Sequence, residues 1–339
     1  MKNKLYLISH EKISQTGRSF FCDNIDMKSI PEELNNEFEV NIIARKSKTQ
    51  RQKNINIENI LIHSNFISYI LSVLKSFKAL NSNFLIISLS PNTFLAAIFC
   101  ILARKKFYLY LRSDGFEEYK QKIGIFGYYI YKLMFSLVCS KAKLITCHKK
   151  LLKEKKGEIL KPSQLDDSWF VKIKKADLQS IKLLYIGRIR VEKGVFSLIE
   201  ILSKLSVRFT FTIIANEKIN NLKEQKNFMN VLSISDHKLL IEAYDNHNIF
   251  ILPSFTEGYS QVIDESLARG RPVIVFKEIS DIIFENRKGV FVSERNVASL
   301  EKTINYIMEN YNEIINLISS NVLPTKQKFV KSLIKILKG

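Results

Sequence analysis

Short apolar runs alternate along the chain with longer stretches in which apolar residues recur every three or four positions. LYLIS (5–9), VNIIA (40–44), FLIISL (84–89), FYLYLR (107–112) and LITC (144–147) read as strands. Helical spacing fills 27–37, 66–80, 93–104 and 123–140 between them. The strand runs are continuously apolar rather than alternating, so both faces are expected to be covered, as in a parallel sheet flanked by helices. FLIISLSPNTFLAAIFCILA (84–103) is long enough to span a bilayer, but Ser88, Ser90, Pro91, Asn92 and Thr93 interrupt it. A strand, a turn and a helix start explain it better.

The polar run RKSKTQRQKNINIEN (45–59) keeps no period and is expected to be a loop or surface excursion. Period is lost again over KPSQLDDSWFVKIKKADLQS (161–180), which holds the chain's one tryptophan, and the domain boundary is placed there. The alternation then restarts with strand KLLYIG (182–187), helix VFSLIEILSKL (195–205) and strand FTFTIIA (209–215). Helix HKLLIEAYDN (237–246), strand IFILPS (249–254), helix QVIDESLARG (261–270) and strand PVIVF (272–276) follow. The expectation is an α/β protein of two Rossmann-like, doubly wound domains, 1–165 and 166–339, whose strand ends face a central cleft. The last helix is left open to pack back on the first domain.

Length agrees, since 339 residues exceed the usual span of one core, roughly 100 to 200 residues. The formal charge is +19, of which residues 1–170 carry +12 and 101–161 alone carry +10. Such a concentration suits a nucleic acid, an anionic membrane face or a phosphate-bearing substrate, or reflects a composition rich in Lys, Asn and Ile. Cys22, Cys100, Cys139 and Cys147 show no CxxC spacing, which argues against a zinc site or disulfide framework and fits a reducing cytosol. MKNKLYLISH has an apolar run of five, too short for a signal-peptide core, and reads as a first buried strand.

Two stretches carry candidate chemistry. In YIGRIRVEKGVFSLIEIL (185–202), Gly187 allows a tight turn after a strand and Gly194 opens a helix. Arg188 and Lys193 then project beside the sheet's carboxyl edge near a helix N-terminus, where two cations and backbone amides suit a pyrophosphate. A strand-to-helix loop with solvated cations is the bland alternative. Neither GxGxxG nor GxxxxGK[ST] occurs there. In PSFTEGYSQVIDESLARGRPVIVF (253–276), Glu257 lies in a loop and Glu265 one turn into the following helix, with the amides of Tyr259, Ser260 and Gln261 at its start. An ionised carboxylate only accepts, which matches ribose hydroxyls for Glu265 and a sugar hydroxyl for Glu257; a helix-cap acid and an exposed helix residue are the alternatives.

Together, GRIRVEKGVFSLIE, FILPSFTEGYSQVIDESLARGRPVIVF with its E-x7-E spacing, and RKGVFVSERNVASLEKTI resemble the three successive signatures of glycosyltransferase family 4, over residues 182–305. The resemblance implies the GT-B fold and retaining transfer of a sugar from a nucleotide diphosphate sugar to a hydroxyl, with no cofactor and no metal in the site. It implies that Arg188 and Lys193 hold the donor diphosphate, Glu265 the ribose and Glu257 the donor sugar. The amides after Gly258, at Tyr259 and Ser260, would touch phosphate or sugar, and the backbone from Val231 to Ser233 would flank the base.

The first half departs from that pattern. ISHEKISQTGRSFF offers only Gly17 where many members carry a glycine-rich loop, and LRSDGFEEY (111–119) stands where many carry a histidine. Asp114, beyond the strand end with Arg112, is a catalytic candidate that would orient the acceptor hydroxyl, or it caps a turn with Gly115. His10, at the first strand's end, is a further candidate. The segment 121–150 combines aromatic and aliphatic residues with lysines at both ends, as in a helix lying at a membrane interface or in a core helix with a basic rim. A glycan or lipid-linked acceptor of bacterial surface polysaccharide, at the inner face of the cell membrane, would give the basic patch a purpose. The rival readings are a nucleotide-sugar epimerase of GT-B fold and a non-catalytic basic binding partner. No nucleic acid is expected, because the chain shows no recognised binding motif.

Overall fold

The computed structural model describes residues 2–215, 227–234, 236–283 and 287–339. The chain divides into two compact units, Met1–Lys161 with Gln327–Gly339, and Pro162–Lys326. The crossing falls four residues before the expected boundary, and the C-terminal helix belongs with the first unit.

The first unit runs β1 (Lys4–Thr16), β2 (Ser19–Cys22), α1 (Ile25–Leu34), β3 (Glu39–Lys46), β4 (Lys53–Ile55), β5 (Asn59–His63) and α2 (Phe66–Ser76). It continues through β6 (Ser82–Ile87), α3 (Pro91–Leu102), β7 (Phe107–Leu111), α4 (Gly115–Cys139), β8 (Lys143–Thr146) and β9 (Gly157–Ile159). Parallel pairing gives the order β5-β3-β1-β6-β7-β8-β9, which reverses beside β1 as in a doubly wound sheet. One apolar layer, with Leu5, Leu7, Val40 and Ile42, packs under α1 and the C-terminal helix; the other, with Ile8, Ile43, Phe84 and Ile86, packs under α2, α3 and α4. The break in the 84–103 run is a capping box: Ser90 and Thr93 bond reciprocally at the start of α3, with Pro91 in its first turn.

Three departures from the sequence reading bear on function. β1 does not end at residue 9. Its register to β3 slips between Ile8 and Lys12, setting Ser9, His10 and Glu11 against Ala44 alone, and the strand then runs on into an antiparallel hairpin with β2. A bulge and hairpin therefore occupy the place where a glycine-rich loop was sought. The expected loop 45–59 contains β4, which extends the hairpin, and the start of β5. Local polarity hid both, because short edge strands need no apolar run. Finally, α4 starts at Gly115 rather than at 123 and breaks at Ile123–Gly124, where Gly124 takes a left-handed φ of 69°.

The second unit runs β10 (Ile181–Ile186), α5 (Val195–Leu202), β11 (Phe209–Ile214), β12 (Met229–Leu232), α6 (His237–Asp245) and β13 (Ile249–Leu252). It ends with α7 (Gln261–Ala268), β14 (Val273–Phe276), β15 (Val290–Ser293), α8 (Val297–Glu309) and α9 (Tyr311–Ser319); α10 (Lys326–Lys338) then returns to the first unit. All pairings are parallel, in the order β12-β11-β10-β13-β14-β15. β12 and β15 escaped the sequence reading because each has only four residues, partly exposed at an edge. The switch point lies between β10 and β13. Trp169, in the segment where the domain boundary was placed, is buried in this unit's core beside Tyr244.

Candidate active site

In open α/β sheets, ligands bind beyond the carboxyl ends of the strands where the order reverses. In the second unit that place is formed by the loops after β10 and β13, the two stretches singled out from sequence. The loops are interlocked. Gly194 opens α5 with φ 66°, and a Cβ there would stand 1.9 Å from the Pro253 carbonyl oxygen. The Phe255 amide donates to the Glu192 carbonyl at 3.0 Å, completing the contact. Any side chain at 194 would force the loops apart.

This packing brings Lys193 onto Glu257. Lys193 Nζ donates to Glu257 Oε1, and Ser254 Oγ donates to the same oxygen at 2.7 Å. The pair is largely screened from water, with side-chain exposures of 19% and 10%. Arg188 extends into solvent from the loop after Gly187; the Tyr185 hydroxyl, donating to the Arg188 carbonyl at 2.8 Å, fixes that loop's backbone. Among the described residues the Arg188 side chain makes no ion pair.

Glu265 lies one turn into α7, half-buried, and its Oε2 accepts from the Tyr244 hydroxyl at 2.9 Å. Burial first, then the Glu265 charge, drives the Tyr244 pKa well above its usual value, so the phenol stays a donor. The helix starts at Ser260, whose hydroxyl does not cap it, unlike Asp236 at the start of α6. Gly258 leads into this turn. The Tyr259 side chain folds back, its hydroxyl donating to Asp264 Oδ2 at 2.7 Å beneath the Arg287 guanidinium. Val231 to Ser233 lie at the carboxyl end of β12, two strands from β10, with Ser233 exposed.

Asp114 lies in the first unit. Its carboxylate caps α4, accepting from Phe116 N at 3.0 Å, and pairs with Lys153 Nζ at 3.1 Å. Of the two readings left open for it, the structure displays the cap. Arg112 pairs with buried Asp26 at the start of α1, and His10 is exposed on the bulge of β1.

Sequence reasoning missed three supporting side chains: Ser254, Tyr244 and Arg295. Arg295 lies just after β15, its Nη2 donating to the Pro253 carbonyl at 2.9 Å and its Nε to Glu278 at 2.7 Å. Its guanidinium lies 4.1 Å from the Phe255 ring centre and 4.4 Å from that of Phe276. No local signal marked it, because its place beside the E-x7-E loop comes from the pairing of β15 with β14. The four thiols are buried and free, each pushed up to about 12, chiefly by burial, so none is a nucleophile near neutrality.

Residues 180–310 match the family model described as glycosyl transferases group 1. Over 213 residues, 56% of this chain and 52% of the relative, the sequence is 27% identical to an uncharacterized glycosyltransferase of Methanocaldococcus jannaschii. Over 237 residues, 68% of this chain and 64% of the relative, it is 22% identical to an uncharacterized 41.2 kDa protein in the cps region of Klebsiella pneumoniae. The matches thus span less than two thirds of these relatives' own lengths.

Among solved structures, the sucrose-phosphate synthase from Thermosynechococcus elongatus superposes with a TM-score of 0.72 at 12% identity, covering 99% of this chain and 98% of that one. WaaG, a glycosyltransferase involved in lipopolysaccharide biosynthesis, gives 0.68 at 15% identity over 98% and 100%. Anabaena HepE in complex with UDP-glucose gives 0.65 at 12% identity over 98% and 95%. The fold is GT-B. The group 1 match and the relatives' names support a glycosyltransferase built on it.

Proposed function

We propose that the protein is a retaining glycosyltransferase of family 4 that moves a sugar from a nucleoside diphosphate sugar to a hydroxyl of a glycan or lipid-linked acceptor in surface polysaccharide synthesis. The observation that carries this reading is the junction of Lys193, Glu257 and Ser254 at the switch point, beside Gly194 and with Glu265 on the next helix. Similarity to a protein bound to UDP-glucose, to one involved in lipopolysaccharide biosynthesis and to one of a cps region supports donor and setting. In the reaction the bond from the sugar's anomeric carbon to the diphosphate breaks, and a bond to the acceptor oxygen forms on the same face. The hydroxyl proton passes to the departing diphosphate. Arg188 and Lys193 carry the charge on that leaving group, in place of a metal. Glu257 holds the sugar, and Glu265 grips the ribose, its second oxygen already oriented by Tyr244.

A panel of nucleotide sugars tests the donor site by thermal shift, because only a bound donor raises the melting temperature. One nucleotide series stabilises the protein equally with and without EDTA. Glu265→Ala weakens that donor by about tenfold, the worth of one charged hydrogen-bond partner. Unchanged affinity in a folded Glu265→Ala protein would remove the ribose role, and no response to any donor would remove the function.

For the setting, we propose peripheral binding at the cytoplasmic face of an anionic membrane through α4. Among the described residues α4 is the one helix long and apolar enough to cross a membrane, with a mean hydropathy of 1.2 over 18 residues. Beyond its break, however, it turns Tyr131, Met134, Phe135 and Val138 into the core of the first unit. Phe126, Ile130, Leu133 and Leu137 form an exposed stripe at helical spacing on the other side, with Phe126 at 78% exposure. Lys122, Lys132 and Lys141 are exposed alongside. A helix held to a core on one face and apolar on the other suits an interface rather than a span. Flotation with phosphatidylglycerol vesicles at low salt should carry the protein upward, and Phe126→Asp with Leu133→Asp should leave it at the bottom. No flotation of the unaltered protein rejects the membrane contact.

A further inference from the structure

The carboxyl ends of β1, β3 and β5 carry a cross-strand row that the donor chemistry does not use. Lys12 pairs in register with Arg45, and Arg45 with His63. Paired residues on parallel neighbours point to one side of the sheet. Two cations set side by side repel, a cost that a folded protein offsets with an acidic partner or a ligand. Among the described residues neither Lys12 nor Arg45 has an acidic partner; both are exposed, as are Lys46 and Lys48 just beyond. Arg51, by contrast, pairs with Asp23. His63 closes the row, its ring edge-on to Tyr69 at 6.4 Å, and its Nε2 is buried with no hydrogen-bond partner.

Burial pushes the His63 pKa down, so the ring is neutral near pH 7 and Nε2 donates from the tautomer that protonates it. A buried ring nitrogen without a partner calls for one. The amino end of α2, capped by Asn65 two residues on, adds partial positive charge on the same edge. Row, orphan nitrogen and helix end share one complement, a compact polyanion.

We propose that Lys12, Arg45 and His63 hold a phosphate group carried by the acceptor, so that the acceptor is a phosphorylated saccharide rather than a neutral one. Arg45 supplies paired donors, Lys12 a point charge and His63 Nε2 one directed hydrogen bond. That the phosphate belongs to an acceptor rests on the glycosyltransferase reading; that the row binds phosphate does not.

The test uses the full chain with 15N-labelled histidine, titrated with inorganic phosphate against chloride of equal ionic strength. His63→Gln identifies the His63 ring signals, while His10, His148, His237 and His247 serve as internal references. The His63 signals should shift and saturate, and the Lys12→Ala, Arg45→Ala double variant should weaken the apparent Kd by about tenfold or more, as expected on losing two charged donors. Both cations are exposed, and their removal relieves repulsion, so the variant folds. No shift of His63, or the same Kd in the double variant, overturns the proposal. Phosphatidylglycerol vesicles form the second arm. If the double variant loses vesicle binding while free phosphate leaves His63 unmoved, the row is a lipid contact and the proposal fails. Donor-induced thermal stabilisation in the same samples reports the second unit separately, so failure here is distinct from failure of the transferase reading.

Discussion

Lys193→Ala is expected to lower kcat by about a thousandfold and to leave the fold intact, because one preorganised donor to a developing anion is worth about 10² to 10³ in rate. On the proposed reading the effect falls on the chemical step. Lys193 is held by the turn that ends at Gly194, and its ammonium is oriented by Glu257 in a place with little water. A charge positioned before the reaction stabilises the leaving diphosphate without reorganising, whereas a solvated lysine would first shed water. Stability does fall, because Glu257 loses its cation in the same water-poor place, but the carboxylate keeps the Ser254 hydroxyl and the fold stays intact.

A rival account gives Lys193 no task except neutralising Glu257. The double variant Lys193→Met, Glu257→Gln separates the two, since it removes both charges and keeps similar volume. Under the rival account it matches Glu257→Gln alone, and under the proposed one it stays as slow as the single lysine variant or slower. Steady-state rates for the three proteins, each checked for folding by circular dichroism, decide the matter. A double variant as fast as Glu257→Gln alone would rule out phosphate stabilisation by Lys193.

The second unit was the more legible from sequence, for a physical reason. Its central strands are buried on both faces and read as continuous apolar runs, while its helices bury one face and read as a helical period. The GR…KG and E-x7-E stretches also sit at strand ends, where glycine and charged residues stand out against apolar runs. The spacing did not show that Lys193 and Glu257 would touch, because that contact depends on Gly194 meeting Pro253 across two loops sixty residues apart in the chain. Nor did it show Tyr244 or Arg295, whose roles depend on neighbours in space. In the first unit the carboxyl edge was legible only in part. The extension of β1 and the strand β4 are polar, and β2, β4 and β5 have only four, three and five residues, so composition placed a loop where a cationic row stands in register. Asp114 shows the opposite difficulty. Its position beyond β7 suggested a catalytic role, while its carboxylate is engaged by the first amides of α4 and by Lys153.

Asp245→Ala is expected to be the most destabilising single substitution among those considered, lowering the melting temperature of the second unit by about 10 °C. Breaking a buried ion pair by deleting one partner costs about 3 to 5 kcal/mol, and in a unit of this size each kcal/mol moves the midpoint by about 2 to 4 °C. Asp245 closes α6 and is buried with two arginines, Arg269 and Arg271, that are themselves almost fully buried. Arg269 grips both of its oxygens, through Nε at 2.9 Å and Nη2 at 2.7 Å. The remaining donors of the two guanidiniums go to carbonyls: Trp169, Val171 and Lys172 from Arg269, and Lys174, Tyr244, Asp245, Arg269 and Gly270 from Arg271. Burial lowers the Arg271 pKa, and Tyr311 and Asp245 partly offset it. One carboxylate therefore balances two cations, and without it both are stranded with only carbonyl dipoles for partners. The Trp169, Val171, Lys172 and Lys174 carbonyls belong to segment 169–174, so the same loss loosens the stretch that enters the second unit. Tyr244, which orients Glu265, immediately precedes Asp245 in α6, so donor affinity should fall along with stability. Asp245→Asn, which keeps one acceptor oxygen and the shape, should fall between Ala and the unaltered protein. Thermal melts of the three, with and without the stabilising nucleotide sugar, measure both effects. A shift below about 2 °C for Asp245→Ala would mean that the carbonyl cage alone holds the arginines.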